Sequence, residues 1–112
     1  MEIENLPENV IYLKLPAHDP HISKELKELN ETISEKDDCD VILDFSYVEI
    51  INSSNISNLL ILRSFLEKHG RELMLYNVQT ITRCIFVVAG LVGIFVFIDN
   101  LEQALKMVQK SF

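Results

Sequence analysis

Glycine and cysteine are scarce in this 112-residue chain, which contains three glycines and two cysteines. The sequence has neither the glycine-rich loops that bind nucleotide phosphates nor the Gly-x-Ser-x-Gly turn of serine hydrolases. Cys39 and Cys84 stand alone, without the Cys-x-x-Cys spacing of a zinc site or a redox motif. We therefore expect two free thiols in a reducing compartment, with no metal, no cofactor and no enzymatic activity.

Basic side chains are also few, with 10 lysines and arginines against 17 aspartates and glutamates, for a formal net charge of −7. A nucleic-acid backbone would be repelled, and no stripe of basic residues offsets this charge, so we expect no nucleic-acid binding. Hydrophobic residues make up 48% of the chain and charged residues 24%, which is typical of an ordinary globular protein. The length suits one domain, which we place over residues 1–112.

Long apolar runs are missing as well. The most apolar stretch, Ile85–Ile98, is shorter than the roughly 18 to 20 residues that a membrane-spanning helix needs, and Gly90 and Gly93 interrupt it. The start of the chain, Met1–Asn5, has neither the basic region nor the apolar run of a signal peptide. We expect a cytoplasmic protein that does not insert directly into a membrane.

Strand and helix patterns alternate along the chain. Periodicity and β-branched content predict four strands, at Val10–Leu15, Val41–Phe45, Glu72–Tyr76 and Phe95–Phe97. Helices are predicted at His21–Glu35, from the Asn52–Asn55 cluster to about His69, at Gln79–Ala89 and from about Asp99 onward. This alternation predicts an α/β fold with a mixed, mostly parallel sheet of four to five strands and four packed helices, in which the first strand could pair differently.

The spacing of apolar residues predicts which face each helix turns to the core. The first helix has a single apolar face, formed by Ile22, Leu26, Leu29 and Ile33. The third helix is predicted to present Ile81, Ile85 and Val88, with the Cys84 thiol packed beside this stripe.

Two polar clusters stand out from the core pattern. His18–His21 holds two imidazoles and one carboxylate, but Pro20 keeps it irregular and no further ligand cluster accompanies it, so we interpret it as a polar loop and not a metal site. Asn52–Asn55 lies where an apolar strand region gives way to a helix. Asparagine and serine are preferred helix N-caps, so capping alone could explain this cluster, and a functional surface hydroxyl is the alternative.

The stretch around that second cluster, Val41–Ser57, resembles the signature region of anti-sigma factor antagonists of the STAS-domain family. In that family an apolar strand ends in Asp plus an apolar residue and leads to Asp-Ser-(Ser/Ala)-Gly-Leu-Gly. The likeness continues in order at Lys68–Leu75, at Ala89–Leu91 with Phe95, and at Asp99–Leu105. It covers roughly residues 41–105 and implies a STAS-like single domain.

The resemblance also implies a function and a site. In such proteins the serine directly after the motif aspartate is phosphorylated by a partner serine kinase, often the anti-sigma factor itself, and a PP2C-type phosphatase resets it. That serine corresponds to Ser53, with Ser54 as the fallback acceptor. The unphosphorylated protein would bind the anti-sigma factor and free the sigma factor. The partner-binding residues implied are Asn52, Ser53, Ser54, Asn55, Ile56 and Asn58.

The sequence departs from the family motif at two positions. Asn52 replaces the aspartate and retains the ability to cap a helix without the charge. Asn55 replaces a glycine. Asparagine tolerates a positive φ if the backbone needs one, but its side chain could obstruct a kinase. Because related STAS proteins also serve in signalling or lipid-transport assemblies, the alternative function is an unphosphorylated structural subunit that associates with itself or with other STAS proteins.

Overall fold

Helices and strands alternate through the computed structural model, which describes residues 9–36 and 38–109. The expectations for Met1–Asn5 lie outside this range, and the single domain over residues 1–112 stays a prediction. The elements, in chain order, are β1 (Val10–Lys14), α1 (His21–Glu35), β2 (Asp40–Asp44), α2 (Ser53–Lys68), β3 (Leu73–Tyr76), α3 (Thr80–Val88), β4 (Val96–Ile98) and α4 (Leu101–Gln109).

The four strands form one parallel sheet in the order β1-β2-β3-β4, so each strand pairs with the next one along the chain. The first strand follows the same rule, since Val10 pairs with Asp40 in a parallel register. Parallel neighbours require a crossover between them, and α1, α2 and α3 occupy the three crossovers. The predicted α/β class is confirmed.

The side chains of β2 show how the sheet buries both of its faces. Successive side chains of a strand point to opposite faces, and here Val41 and Leu43 pack into one core while Ile42 packs into a second. The first core receives side chains from α1, α2 and α3, and the second receives Ala104 and Val108 from α4. Burial on both faces explains why this strand is a continuous apolar run in the sequence.

Helix α1 turns the predicted face to the core, with all four of its apolar stripe residues buried: Ile22, Leu26, Leu29 and Ile33. Helix α3 does not. Its buried residues are Thr82 and Phe86. Of the three residues predicted to face the core, Ile85 is half-buried and packs against it, but Ile81 is 75% exposed and Val88 is 88% exposed, so the predicted face was wrong for those two.

The aromatic ring of Phe86 explains the orientation of α3. It packs edge-on against Phe95 and Phe97, with ring centroids 5.4 Å and 5.5 Å away. Thr82, one turn earlier, lies on the same side of the helix, which leaves the aliphatic side chains around it facing outward. Cys84 is consequently exposed, and the prediction that its thiol packs in the core was wrong.

Charged and thiol groups near the start of β2 are buried. One Asp40 carboxylate oxygen lies 2.9 Å from Nη2 of Arg71, and the other accepts a 2.7 Å hydrogen bond from the N–H of Glu72. These partners compensate for desolvation of the Asp40 charge and hold the starts of β2 and β3 together. Cys39 is free and buried, and burial raises the pKa of its thiol. Its reactivity as a thiolate is correspondingly low.

Candidate partner-binding and phosphorylation site

The first turn of α2 is fixed by a reciprocal pair of hydrogen bonds. Asn52 is the N-cap, and its side-chain oxygen accepts a 2.9 Å hydrogen bond from the backbone N–H of Asn55. In return, the side-chain oxygen of Asn55 accepts a 3.0 Å bond from the backbone N–H of Asn52. This capping box satisfies two donors that a helix start would otherwise leave without a partner. Ser53 is therefore the first residue of a helix with a fixed starting point.

We refer to Asn52–Asn58 as the acceptor segment. Its residues Asn52, Ser53 and Ser54 are exposed, so both predicted acceptor hydroxyls lie at the surface. Ile56 and Asn58 are half-buried, and the Asn58 amide donates a 3.1 Å hydrogen bond to the carbonyl oxygen of Ser54.

Within the acceptor segment, Asn55 is buried, with 1% of its surface exposed. Its amide nitrogen donates hydrogen bonds to a carboxylate oxygen of Asp19 at 3.0 Å and to the hydroxyl of Ser23 at 3.1 Å. It lies in the first turn of α2, and the only non-glycine residue with positive φ among residues 9–36 and 38–109 is Asn77. Asn55 therefore has no positive φ to accommodate. Its side chain turns inward, so it does not obstruct the surface around Ser53.

Asp19 comes from the loop between β1 and α1, and it gathers four groups around one carboxylate. Besides Asn55, it accepts hydrogen bonds from the Asn52 amide at 2.6 Å and from the backbone N–H of Ser23 at 2.9 Å, as well as from the Ser23 hydroxyl. These bonds, the one from Asn55 foremost, lower the pKa of Asp19 from 3.8 to about 2. The carboxylate is stabilised in its charged form because its hydrogen-bond partners all donate to it.

Asp44, the aspartate that ends β2, is 3% exposed and shapes the loop that leads to the acceptor segment. It accepts hydrogen bonds from the Tyr12 hydroxyl and the Ser46 hydroxyl, and from the Ser46 backbone N–H at 2.8 Å. Asn77, in the loop after β3, donates a 2.8 Å bond to the Ser46 hydroxyl, and Gln79 donates one of 2.9 Å to the Ser46 carbonyl oxygen. The loops after β1, β2 and β3 thus meet at the carboxyl-terminal edge of the sheet, where α/β proteins generally place their sites.

Two apolar side chains beside the acceptor segment were not predicted from the sequence. Tyr47 is 61% exposed and Ile50 is 62% exposed, both in the loop between β2 and α2. Their neighbours Val48 and Ile51 are buried. The Lys14 ammonium group lies over the Tyr47 ring, 5.0 Å from its centroid. The signal in the sequence is an apolar run too long for the strand alone, but only the loop conformation decides which of its residues face outward.

Helix α3 carries a second exposed surface of different character, which we call the α3 face. Its side chains line a shallow depression that has no polar surface, formed by Cys84, Ile85, Val88 and Ala89. Ile81 extends it toward the helix start. The only charged side chain on α3, Arg83, stacks over the Phe97 ring at 4.5 Å, so the α3 face is uncharged.

In residues 9–36 and 38–109, no group of three or more histidine, cysteine, aspartate or glutamate side chains is placed to hold a metal ion. No helix in these ranges combines the length and the apolar character needed to cross a membrane.

The sequence model of the STAS domain family matches residues 18–104, which include the Asp19 loop, the acceptor segment and the α3 face. The chain belongs to the STAS domain family. The resemblance read from the sequence is confirmed, and it extends further toward the N-terminus than the motifs alone indicated, because α1 and the loop before it fall within the match.

Solved structures share the architecture of this STAS domain. The 1.59 Å crystal structure of tm1081 from Thermotoga maritima, assigned to the anti-sigma factor antagonists, gives a TM-score of 0.75 at 15% identity, covering 94% of this chain and 92% of that chain. The anti-sigma factor antagonist SpoIIAA in its unphosphorylated form gives 0.72 at 18% identity, covering 96% of both chains. At these identities the likeness establishes the fold. A search of curated proteins finds no match.

Proposed function

We propose that this STAS domain is an anti-sigma factor antagonist, which binds an anti-sigma factor with serine kinase activity and is released when Ser53 is phosphorylated. The observation that carries the proposal is the exposed Ser53 side chain at the first position of α2. The helix dipole favours negative charge at this end of the helix, so a phosphate there is compatible with the folded domain. The solved antagonists that share the fold support the assignment.

Phosphorylation would act through charge at the contact surface. The kinase would transfer the γ-phosphoryl group of ATP to the Ser53 hydroxyl oxygen, which loses its proton, while the bond from that phosphorus to the leaving ADP breaks. The product carries about −1.5 to −2 added charges. A partner packed over Asn52, Ser53 and Ser54, with Tyr47 and Ile50 as apolar anchors, would then have to desolvate this charge. Hydrolysis of the phosphate by a PP2C-type phosphatase restores the neutral hydroxyl and the binding surface. Both reactions place the protein in the cytoplasm.

The two departures from the family motif fit this proposal. Asn52 caps α2 without a charge, so it leaves the phosphate as the new negative group at the helix start. Asn55 is buried, so its side chain does not stand between a kinase and Ser53. Ser54 is also exposed, and it remains the fallback acceptor.

Affinity measurements with three variants test the proposal. The protein partner that co-purifies with the wild-type chain from its own cells is identified, produced separately and titrated by calorimetry against each variant. We expect Ser53→Asp to weaken binding roughly tenfold or more, because a fixed charge enters the interface, and Ser53→Ala to bind like wild type.

Ser57→Asp is the matched control, since Ser57 is an exposed serine one turn further along the same helix. It should change the affinity less than about threefold. If Ser53→Asp binds as tightly as wild type, or if Ser57→Asp weakens binding equally, Ser53 is not the switch. Incubation with the partner and ATP should add one phosphate to wild type and to Ser54→Ala, and none to Ser53→Ala.

A second candidate function rests on the α3 face. Exposed apolar patches of this kind mark protein interfaces, and self-association through it would make the chain a structural subunit of an assembly. Size-exclusion chromatography with light scattering compares wild type with the double variant Ile81→Glu/Val88→Glu. An assembly that the double variant dissolves supports this function, and a wild-type monomer across the concentration range contradicts it.

A further inference from the structure

Asn55 connects two parts of the chain that are far apart in sequence. Its side-chain oxygen binds the backbone N–H of Asn52, and its amide nitrogen binds Asp19, 36 residues earlier in the chain, as well as the Ser23 hydroxyl. Because only 1% of its surface is exposed, Asn55 can position other residues but cannot contact a partner directly. Every polar atom of its carboxamide is engaged on a different piece of backbone or side chain.

The Asp19 carboxylate depends on this connection. Donors from two elements converge on it, the Ser23 groups from α1 and the amides of Asn52 and Asn55 from the start of α2. The hydrogen bond from Asn55 is the largest cause of the lowered pKa of Asp19. The loop before α1 and the acceptor segment are therefore joined through the buried Asn55 amide, beside the exposed Asn52 amide on the same carboxylate.

Other charged groups around this cluster come from three places. His18 lies in the same loop, and its Nδ1 is 3.3 Å from the Asp19 carbonyl oxygen. The first turn of α1 supplies His21 and Lys24, and the segment before α2 supplies Glu49, whose N–H binds the carbonyl oxygen of Ala17. Helix α2 itself has no acidic or basic side chain in Ser53–Leu62. Hydrogen bonds from uncharged donors to the Asp19 carboxylate, and not an ion pair, hold this part of the molecule together.

We propose that Asn55 is a positioning residue, which locks the loop before α1 to the acceptor segment so that Ser53 is presented on one rigid recognition surface. This inference rests on the proposed function for its biological meaning, since a rigid surface matters because a kinase and an anti-sigma factor must recognise it. A glycine at this position, as in the family motif, would have no side chain to make the connection. The chain thus gains through Asn55 a link that the motif residue cannot provide.

The test uses nuclear magnetic resonance on the whole chain without any partner, so it does not depend on the proposed function. Carboxyl titration should give a pKa of about 2 for Asp19 in wild type and a clearly higher value in Asn55→Ala and in Asn55→Gly, because the hydrogen bond that lowers it most is lost while those from Asn52 and Ser23 remain. Amide exchange should accelerate roughly tenfold or more at both Asn52–Asn55 and Asp19–Ser23, while the amides of β2 keep their protection.

Asn58→Ala is the matched control, because Asn58 is a half-buried asparagine of the same helix whose amide binds the Ser54 carbonyl oxygen and not Asp19. It should leave the titration of Asp19 unchanged. An Asp19 pKa that stays near 2 in both Asn55 variants, or loop exchange that stays slow in them, would overturn the proposal.

A charge exchange supplies the rescue. Asn55→Asp alone places two carboxylates in contact and should loosen the loop and the acceptor segment more than Asn55→Ala does. Adding Asp19→Asn restores the pairing in reverse, because an amide at position 19 can donate to the carboxylate at position 55. The double variant should recover at least about half of the lost amide protection. No recovery in the double variant would contradict the specific pairing. If the pairing is confirmed while Ser53→Asp leaves partner affinity unchanged, the proposed function fails and the positioning role stands.

Discussion

The start of α2 and the outer face of α3 are both accessible, yet they are built from opposite chemistry. The start of α2 is polar, with a reciprocal capping box and a carboxylate shared with the loop before α1. The start of α3 at Gln79 has no side-chain capping bond, and its outer face exposes Ile81, Val87 and Val88. In α2, side-chain hydrogen bonds hold the first turn in place. In α3, aliphatic side chains face the solvent.

The difference shows where a charge-based switch can operate. In the proposed function, a phosphate on Ser53 would meet a helix start whose dipole favours it, so the fold would tolerate the charge and the partner would sense it. The α3 face has no polar group to receive a charge, and it suits an association that stays constant. The two surfaces therefore fit two functions, a switched contact at α2 and a permanent contact at α3.

The largest effect we expect is on the free energy of unfolding, and it should differ between the buried side and the exposed side of α3. Phe86→Ala should reduce the free energy of unfolding by about 3 to 5 kcal/mol, because Phe86 is fully buried against two other rings. Val88→Ala on the outer face should change it by less than about 0.5 kcal/mol. Urea unfolding followed by circular dichroism measures both values, and equal costs would show that the outer face also serves the fold.

The second prediction compares the two helix starts. Asn52→Ala should cost about 1 kcal/mol of unfolding free energy, because it removes the side-chain partner of the Asn55 N–H. Gln79→Ala should cost less, about 0.5 kcal/mol, since it removes no capping bond and only an exposed hydrogen bond to the Ser46 carbonyl oxygen. The same urea titration decides the matter. A larger cost for Gln79→Ala would reverse the comparison.

The third prediction concerns pH and Asp19. Its pKa is lowered to about 2 in the folded protein, so its contribution to stability is fully present above the unfolded value near 3.8 and is lost as pH falls through 2. Asp19→Asn should therefore lower the melting temperature at pH 5 by more than it does at pH 2. A difference from wild type that is constant over this range would mean that the charge of Asp19 does not matter.

The smallest effect is expected where the two surfaces should be independent. The double variant Ile81→Glu/Val88→Glu adds two charges to the α3 face, and it should change the affinity of the Ser53-dependent partner by less than about threefold. Calorimetric titration beside Ser53→Asp provides the comparison. A loss as large as that of Ser53→Asp would mean that one partner covers both surfaces.

Much of the fold could be predicted from the sequence because its patterns are local. The single apolar face of α1 and the apolar centre of β2, Val41–Leu43, each indicate their environment directly. Helix α3 was predicted at the right place with the wrong face. Isoleucine and valine surround Phe86 on all sides of this helix, so periodicity cannot identify the buried side. The choice depends on the Phe95 and Phe97 rings, which belong to later parts of the chain.

In the candidate site, too, local features could be predicted from the sequence and features that depend on distant residues could not. Asn52 and Ser53 could be placed at a helix start from the local order of strand, polar cluster and helix, and the structure places them there. The inward turn of Asn55 could not be predicted, because its partner Asp19 lies 36 residues away in a different loop. Exposure of Tyr47 and Ile50 likewise depends on the conformation of a loop that Asp44 and Ser46 hold.

Phosphopeptide mass spectrometry on the protein purified from its own cells tests the central claim most directly. Intact mass gives the number of phosphates, and fragmentation assigns each one among Ser53, Ser54 and Ser57. We predict one phosphate on Ser53, lost in Ser53→Ala and retained in Ser54→Ala. A chain that carries no phosphate under all growth conditions sampled, or carries it at Ser57, would contradict the account and favour the assembly function of the α3 face.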